Sequence, residues 1–128
     1  MSTTPAGEMR LRALRGATTA SRNEEAEIVA ASVELLRTLI ERNGLAADDL
    51  VSIIFTATPD LDAGFSAAAA RAADLSLVPV IGAMEVGVKG GLERCIRVLI
   101  HLYTARAAAE LRHVYLREAR SLPSDLPD

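Results

Sequence analysis

Arg94-Cys95-Ile96-Arg97-Val98-Leu99-Ile100-His101-Leu102-Tyr103 is the stretch that decides the fold of this chain. The run is too apolar for a solvated surface. Read as a strand, it alternates faces with a period of two. Ile96, Val98, Ile100 and Leu102 then share one face, and Cys95, Arg97, Leu99, His101 and Tyr103 share the other. A guanidinium in the middle of such a strand keeps its proton and must find an anion. Arg97 therefore either pairs with an internal carboxylate or waits for a negatively charged ligand.

The neighbouring segments build outward from this strand. Leu77-Val78-Pro79-Val80-Ile81 reads as a second strand, with Pro79 indicating an edge or a strand end. Gly87, Gly90 and Gly91 mark an irregular loop between the two. After a short Ala-rich turn at 107–110, Arg112-His113-Val114-Tyr115-Leu116 reads as a last strand. Val51 to Ala57 is a short buried strand broken by Thr58-Pro59-Asp60, and Ala63 to Ala73 predicts a helix by propensity. In the N-terminal part, Arg10 to Arg15 alternates as a first strand ending at Gly16. Ser21 or Asn23 is placed to cap a helix, with Glu24, Glu25 and Glu27 near its positive end. Ile28, Leu35, Leu36, Leu39 and Ile40 keep helical spacing, and Asn43-Gly44 supplies the stop.

This order predicts an α+β domain, a mixed sheet with helices on one face. A sheet covered on one face leaves an apolar surface, and residues 95–103 need cover on both sides. Oligomerisation is the simplest remedy. Residues 1–8 read as a flexible tail, 9–120 as a single domain and 121–128 as a C-terminal tail, where Pro123 and Pro127 oppose regular structure.

Composition narrows the function classes. With two Phe, two Tyr and no Trp, the core of this 128-residue chain must come from Ala, Val, Leu and Ile. A formal charge of −3 argues against general nucleic-acid binding. The single Cys95 excludes an internal disulfide and a cysteine-pair zinc site. No apolar stretch reaches the roughly 18 residues of a membrane span. Met1 to Glu8 has no hydrophobic signal region, so a cytoplasmic protein is expected. Arginine outnumbers lysine thirteen to one. Codon bias in a GC-rich genome is the bland reading of that ratio, and bidentate recognition of carboxylates the functional one.

Nucleophilic and metal chemistry find little support. Cys95 has only His101 and His113 as candidate bases, and a Cys in an apolar strand is most often a small core residue. The two histidines lack a third metal ligand at suitable spacing, so no metal site is expected. Gly87-x-x-Gly90-Gly91 is followed by no Gly-Lys-Ser/Thr and is not a phosphate loop. What remains is a polar set without a nucleophile: Arg15, Glu85, Arg97 and Tyr115. From pattern alone it reads slightly better as an internal Glu85–Arg97 ion pair plus a surface tyrosine than as a site.

Four motifs change that balance. Leu14-Arg15-Gly16-Ala17-Thr18-Thr19, Ala57-Thr58-Pro59-Asp60-Leu61, Gly90-Gly91-Leu92-x-x-Cys95-Ile96-Arg97-Val98 and Arg112-His113-Val114-Tyr115-Leu116 occur in this order. Together they resemble the monofunctional, trimeric pseudo-α/β-barrel class of chorismate mutases, over about residues 10–126. The resemblance implies the Claisen rearrangement of chorismate to prephenate, a step toward phenylalanine and tyrosine, with no cofactor, metal or covalent intermediate. It implies a homotrimer with intersubunit active sites and neither nucleic-acid nor membrane partners.

Carried over residue by residue, the resemblance gives Arg97 the ether oxygen and one carboxylate of the substrate. Glu85 accepts a hydrogen bond from the ring hydroxyl, Arg15 pairs with a carboxylate, and Tyr115 donates on the carboxylate side. Phe65 and Arg71 close the pocket from the neighbouring subunit, backbone groups of Ile81, Gly82, Ala83 and Met84 line it, and Leu122 lies over its mouth. The chain departs from the family pattern in places. The stretch between Arg71 and Pro79 is one residue shorter than in some members. Ile81 and Gly82 stand where members can carry Thr and Cys, Ala68 where some have Lys, and Pro123 where the tail can carry Arg. The alternative reading is a trimeric small-ligand binding or regulatory protein on a similar architecture, with Arg97 a structural cation.

Overall fold

The computed structural model describes residues 8–122. The tails expected over 1–8 and 121–128 therefore lie outside the described residues, except for Glu8, Ser121 and Leu122. Among the described residues, five strands form one sheet: β1 (Arg10–Thr19), β2 (Leu50–Ala57), β3 (Val80–Met84), β4 (Cys95–Thr104) and β5 (Val114–Tyr115). Two helices, α1 (Glu25–Asn43) and α2 (Ala68–Ala72), join them, with short 3-10 turns at Ala47–Asp49, Ala108–Glu110 and Arg117–Ser121. The sheet order is β3-β2-β4-β1-β5. β4 runs antiparallel to both β1 and β2, whereas β3 is parallel to β2 and β5 parallel to β1. The sheet is mixed, as expected.

The alternation of β4 sets the two faces. Ile96, Val98, Ile100 and Leu102 are buried, with Leu14, Ile53 and Phe55 beside them in the same core. Ile28, Leu35, Leu36 and Leu39 of α1 and Ala69 and Ala70 of α2 cover them. Each of these large side chains contributes about 1.5–3 kcal/mol by leaving water. The other face carries Arg97, Leu99, His101 and Tyr103, and among the described residues neither α1 nor α2 covers it. Leu11 and Tyr103 there remain about half exposed.

α1 follows its sequence signals except at the start. Glu25 and Glu27 sit in the first turn and Arg42 in the last, matching the helix dipole. Gly44 ends it in the left-handed region at φ 57°, which a side chain would resist. The N-cap, however, is Glu24, and no side chain caps it. Ser21 Oγ donates instead to Glu27 Oε2, and Asn23 reaches away to the 62–63 turn.

The second helix is shorter than expected. Asn23 Oδ1 accepts the backbone N–H groups of Asp62 and Ala63 and ties the 62–63 turn to the start of α1. Gly64 passes so close to α1 that a Cβ would sit 2.9 Å from Glu25 Cγ. Only Ala68–Ala72 is helical, against the expected 63–73. Pro79 likewise displaces the strand expected at 77–81. Its carbonyl accepts Ile53 N–H at 2.9 Å and opens the ladder, while Val78 turns back to Leu75. β3 is thus an edge strand that starts after Pro79.

Gly16 does not end β1. The ladder runs on through Gly16 opposite Val98 to Thr19 opposite Cys95. A Cβ on Gly16 would lie 2.9 Å from Leu39 Cδ1 and 3.2 Å from the Val114 carbonyl oxygen. The glycine is required by close packing, not by a turn. β5 is shorter than expected because Asn43 binds both the N–H and the C=O of Arg112, taking that residue out of the ladder. Among the described residues no helix is long and apolar enough to cross a membrane.

Candidate active site on the open sheet face

Strand register assembles the site. Across the sheet, Ala83 lies opposite Thr56, Thr56 opposite Arg97, Arg97 opposite Ala17, and Ala17 opposite Tyr115. Residues paired in this way share a face, and this row belongs to the face without helices. One row on, Arg15 stands opposite Leu99, on the same face. Arg15, Arg97 and Tyr115 thus come together from three adjacent strands about 4.8 Å apart.

Glu85 follows β3, with its backbone N–H donating to Ala57 O at 2.9 Å. Its Oε1 lies 3.2 Å from Arg97 Nε, and its Oε2 accepts the Thr56 hydroxyl at 2.8 Å. The ion pair read from pattern is therefore present. It is not sealed in: the Arg97 side chain is 48% accessible and that of Glu85 19%. Burying a guanidinium completely would demand full internal compensation; here half of it faces outward, available to an anion.

The supporting contacts come from the Thr58-Pro59-Asp60 segment, which breaks β2 and belongs to one of the four motifs. Thr58 Oγ1 accepts Cys95 N–H at 3.0 Å, and Asp60 Oδ2 accepts Arg94 N–H at 2.9 Å. The Thr58-Pro59-Asp60 turn thus holds the start of β4, two residues before Arg97. Burial pushes the Asp60 carboxyl up, but hydrogen bonds from Thr58 and the Arg94 backbone outweigh it and hold the group below its ordinary value. Burial raises the Cys95 thiol, against the opposing pull of the Arg97 charge. A fully buried thiol with a raised pKa is no nucleophile. His113, the other candidate base, accepts the Arg15 backbone N–H on Nδ1 at 3.0 Å. It ties β1 to the segment that carries Tyr115. Thr56 was missed, because an ordinary strand threonine gives no signal until the register is known.

The remaining expected residues lie elsewhere. Phe65 is 81% exposed and, with Gly82, Ala83 and Met84, lines a cavity of about 410 Å³ beside β3. Phe65 and Arg71 line a second, of about 330 Å³, with Val78 and Val80. Both are on the α2 side of the sheet, where Ala67 stands under Gly82. Neither lining includes Arg97, Arg15 or Tyr115. Ile81 is exposed on the edge strand. Leu122 borders a third cavity, of about 530 Å³, with Gly90, Gly91 and Arg94. Within one chain the structure does not join Phe65, Arg71 and Leu122 to the Arg97 row.

Residues 11–126 match the family described as Chorismate mutase type I. The chain belongs to the type I chorismate mutases. It is 42% identical over 121 residues to Chorismate mutase AroH of Bacillus subtilis (strain 168), covering 92% of this chain and 94% of that one. It is 43% identical over 117 residues to Chorismate mutase AroH of Thermus thermophilus, covering 91% and 96%. A solved chorismate mutase from Clostridium thermocellum superposes with a TM-score of 0.85 at 47% identity, covering 87% of this chain and 99% of that one. Family membership therefore agrees with the fold, and three of the four motifs supply Ala17, Arg97 and Tyr115 of the open-face row.

Proposed function

We propose that this chain converts chorismate to prephenate on the open face of its sheet, at Arg97, in a crevice that a second copy completes. Family membership makes the reaction the isomerisation of chorismate, a step in aromatic amino-acid biosynthesis. The rearrangement is unimolecular. The C–O bond lengthens ahead of C–C formation, so negative charge grows on the ether oxygen of a substrate that is already a dianion. Such a step needs fixed cations and a shaped site rather than a proton carrier.

The Arg97–Glu85 pair, with its arginine half exposed, carries this reading. Glu85 engages Nε, which fixes the plane of the guanidinium and leaves its terminal nitrogens as the donors offered to the ether oxygen. A preorganised donor at a developing oxyanion contributes about 3 kcal/mol to the transition state. Glu85 accepts from the ring hydroxyl, Arg15 pairs with a substrate carboxylate, and Tyr115 donates from the far side of Ala17. The two arginines exceed the one glutamate in charge, which suits a dianion.

A homotrimer belongs to the same proposal. Exposed Leu11, Tyr103 and Ile81 are surface that a second copy would cover. Phe65 and Arg71 lie apart from the Arg97 row in one chain, which supports their serving a neighbour's site. Cytoplasmic residence also belongs to it. The test follows chorismate absorbance with purified protein, and prephenate by NMR. Saturable, catalysed conversion is expected. Tight chorismate binding without conversion would favour the binding-protein reading.

A further inference from the structure

We infer that Thr56 is a positioning residue for this reaction, locking the Glu85 carboxylate in the orientation that serves both Arg97 and the substrate hydroxyl; this rests on the function proposed above. Glu85 needs such a lock. It lies just beyond β3, at the head of the glycine-containing segment that runs to Arg94. Its backbone N–H is fixed by Ala57 O, but a glutamate side chain has three further rotatable bonds.

β2 supplies the missing constraint because it lies between the strands that carry the pair. Thr56 is opposite Arg97 on one side and Ala83 on the other. Its hydroxyl is therefore beneath the line along which Glu85 and Arg97 reach toward each other. The hydroxyl donates to Oε2 at 2.8 Å while Arg97 Nε engages Oε1 at 3.2 Å, so each carboxylate oxygen has its own partner. Threonine suits this position because its branched Cβ restricts χ1, so the donor is aimed before substrate arrives. Ile81 and Ala83, which share this face of β3, offer no hydrogen-bonding side chain.

The experiment compares kcat and KM for wild type, T56S, T56V, E85Q and T56V/E85Q, with thermal melts to confirm folding. Valine preserves shape and strand propensity while removing the donor. T56V is expected to lower kcat about tenfold with little change in KM, the scale of a lost hydrogen bond to a charged group. T56S is expected to recover most of that loss, and T56V to cost about twofold or less on top of E85Q. Wild-type kcat in T56V would overturn the inference. So would a loss that T56S does not recover and that is equally large in the E85Q background, because that pattern marks general packing. Absence of turnover in the wild type would sink the reaction itself, which separates the two failures.

Discussion

Arg97 and Glu85 form their 3.2 Å ion pair across an intervening strand. Arg97 is on β4 and Glu85 follows β3, while β2 lies between them in the sheet. Two strand spacings, about 9.6 Å, separate the backbones, and both side chains must extend over Thr56 to meet. The pair is thus a measure of sheet geometry. A register slip of one residue would turn Arg97 to the opposite face and abolish it.

Gly16 guards that register. Gly16→Ala is expected to lower unfolding stability by about 1–3 kcal/mol, the cost of overpacking. The Leu39 methyl group can yield, but the Val114 backbone oxygen at 3.2 Å cannot do so without moving β5. Urea titration reads the stability, and an unchanged midpoint would show that β5 accommodates the methyl freely.

Cys95 is expected to be silent. Its burial and raised pKa predict that a thiol reagent labels the native protein slowly and the urea-unfolded protein rapidly. Turnover should persist while the native thiol remains unlabelled. Rapid stoichiometric labelling with loss of activity would point to an exposed thiolate beside Arg97.

Asp60 gives a pH signature. Its folded-state pKa is lowered, so its stabilisation is present above the unfolded value of about 3.9 and is lost as pH falls through the folded value. Asp60→Asn should therefore lower the urea midpoint near pH 6, and the difference from wild type should shrink progressively as pH falls below the ordinary carboxylate range and through the lowered folded value. A gap that persists in acid would mean that the carboxylate charge is not what holds Arg94.

How much of this was legible depended on how local the physics was. The two faces of β4 followed from alternation alone, because burial on a strand has a period of two. α1 was legible from Ile28, Leu35, Leu36 and Leu39. The errors came where a distant residue intervened: the 62–64 turn packs on the start of α1 through Asn23 and Glu25, and Leu39 and Val114 explain a glycine that looks like a strand end. For the site, Arg97 announced itself as a charge in an apolar strand. Arg15, Glu85 and Tyr115 entered as a leftover polar set and received their roles through family resemblance. Thr56 became visible only once register set it between Arg97 and Ala83.

Mixed oligomers test the intersubunit proposal. Arg97→Ala and Arg71→Ala proteins, each impaired alone, should regain activity when unfolded together and refolded. Random assembly leaves about one site in four with both wild-type halves, if the halves come from different copies. Mixtures no more active than their components would place both residues in one chain's site.

The most direct measurement is kcat for Arg97→Lys, which keeps the charge but loses the planar fork. The account predicts a loss of about 100-fold or more, chiefly in kcat, with the protein folded and substrate still bound. Turnover within about threefold of wild type would contradict it, since the guanidinium would then have no special part in stabilising the ether oxygen.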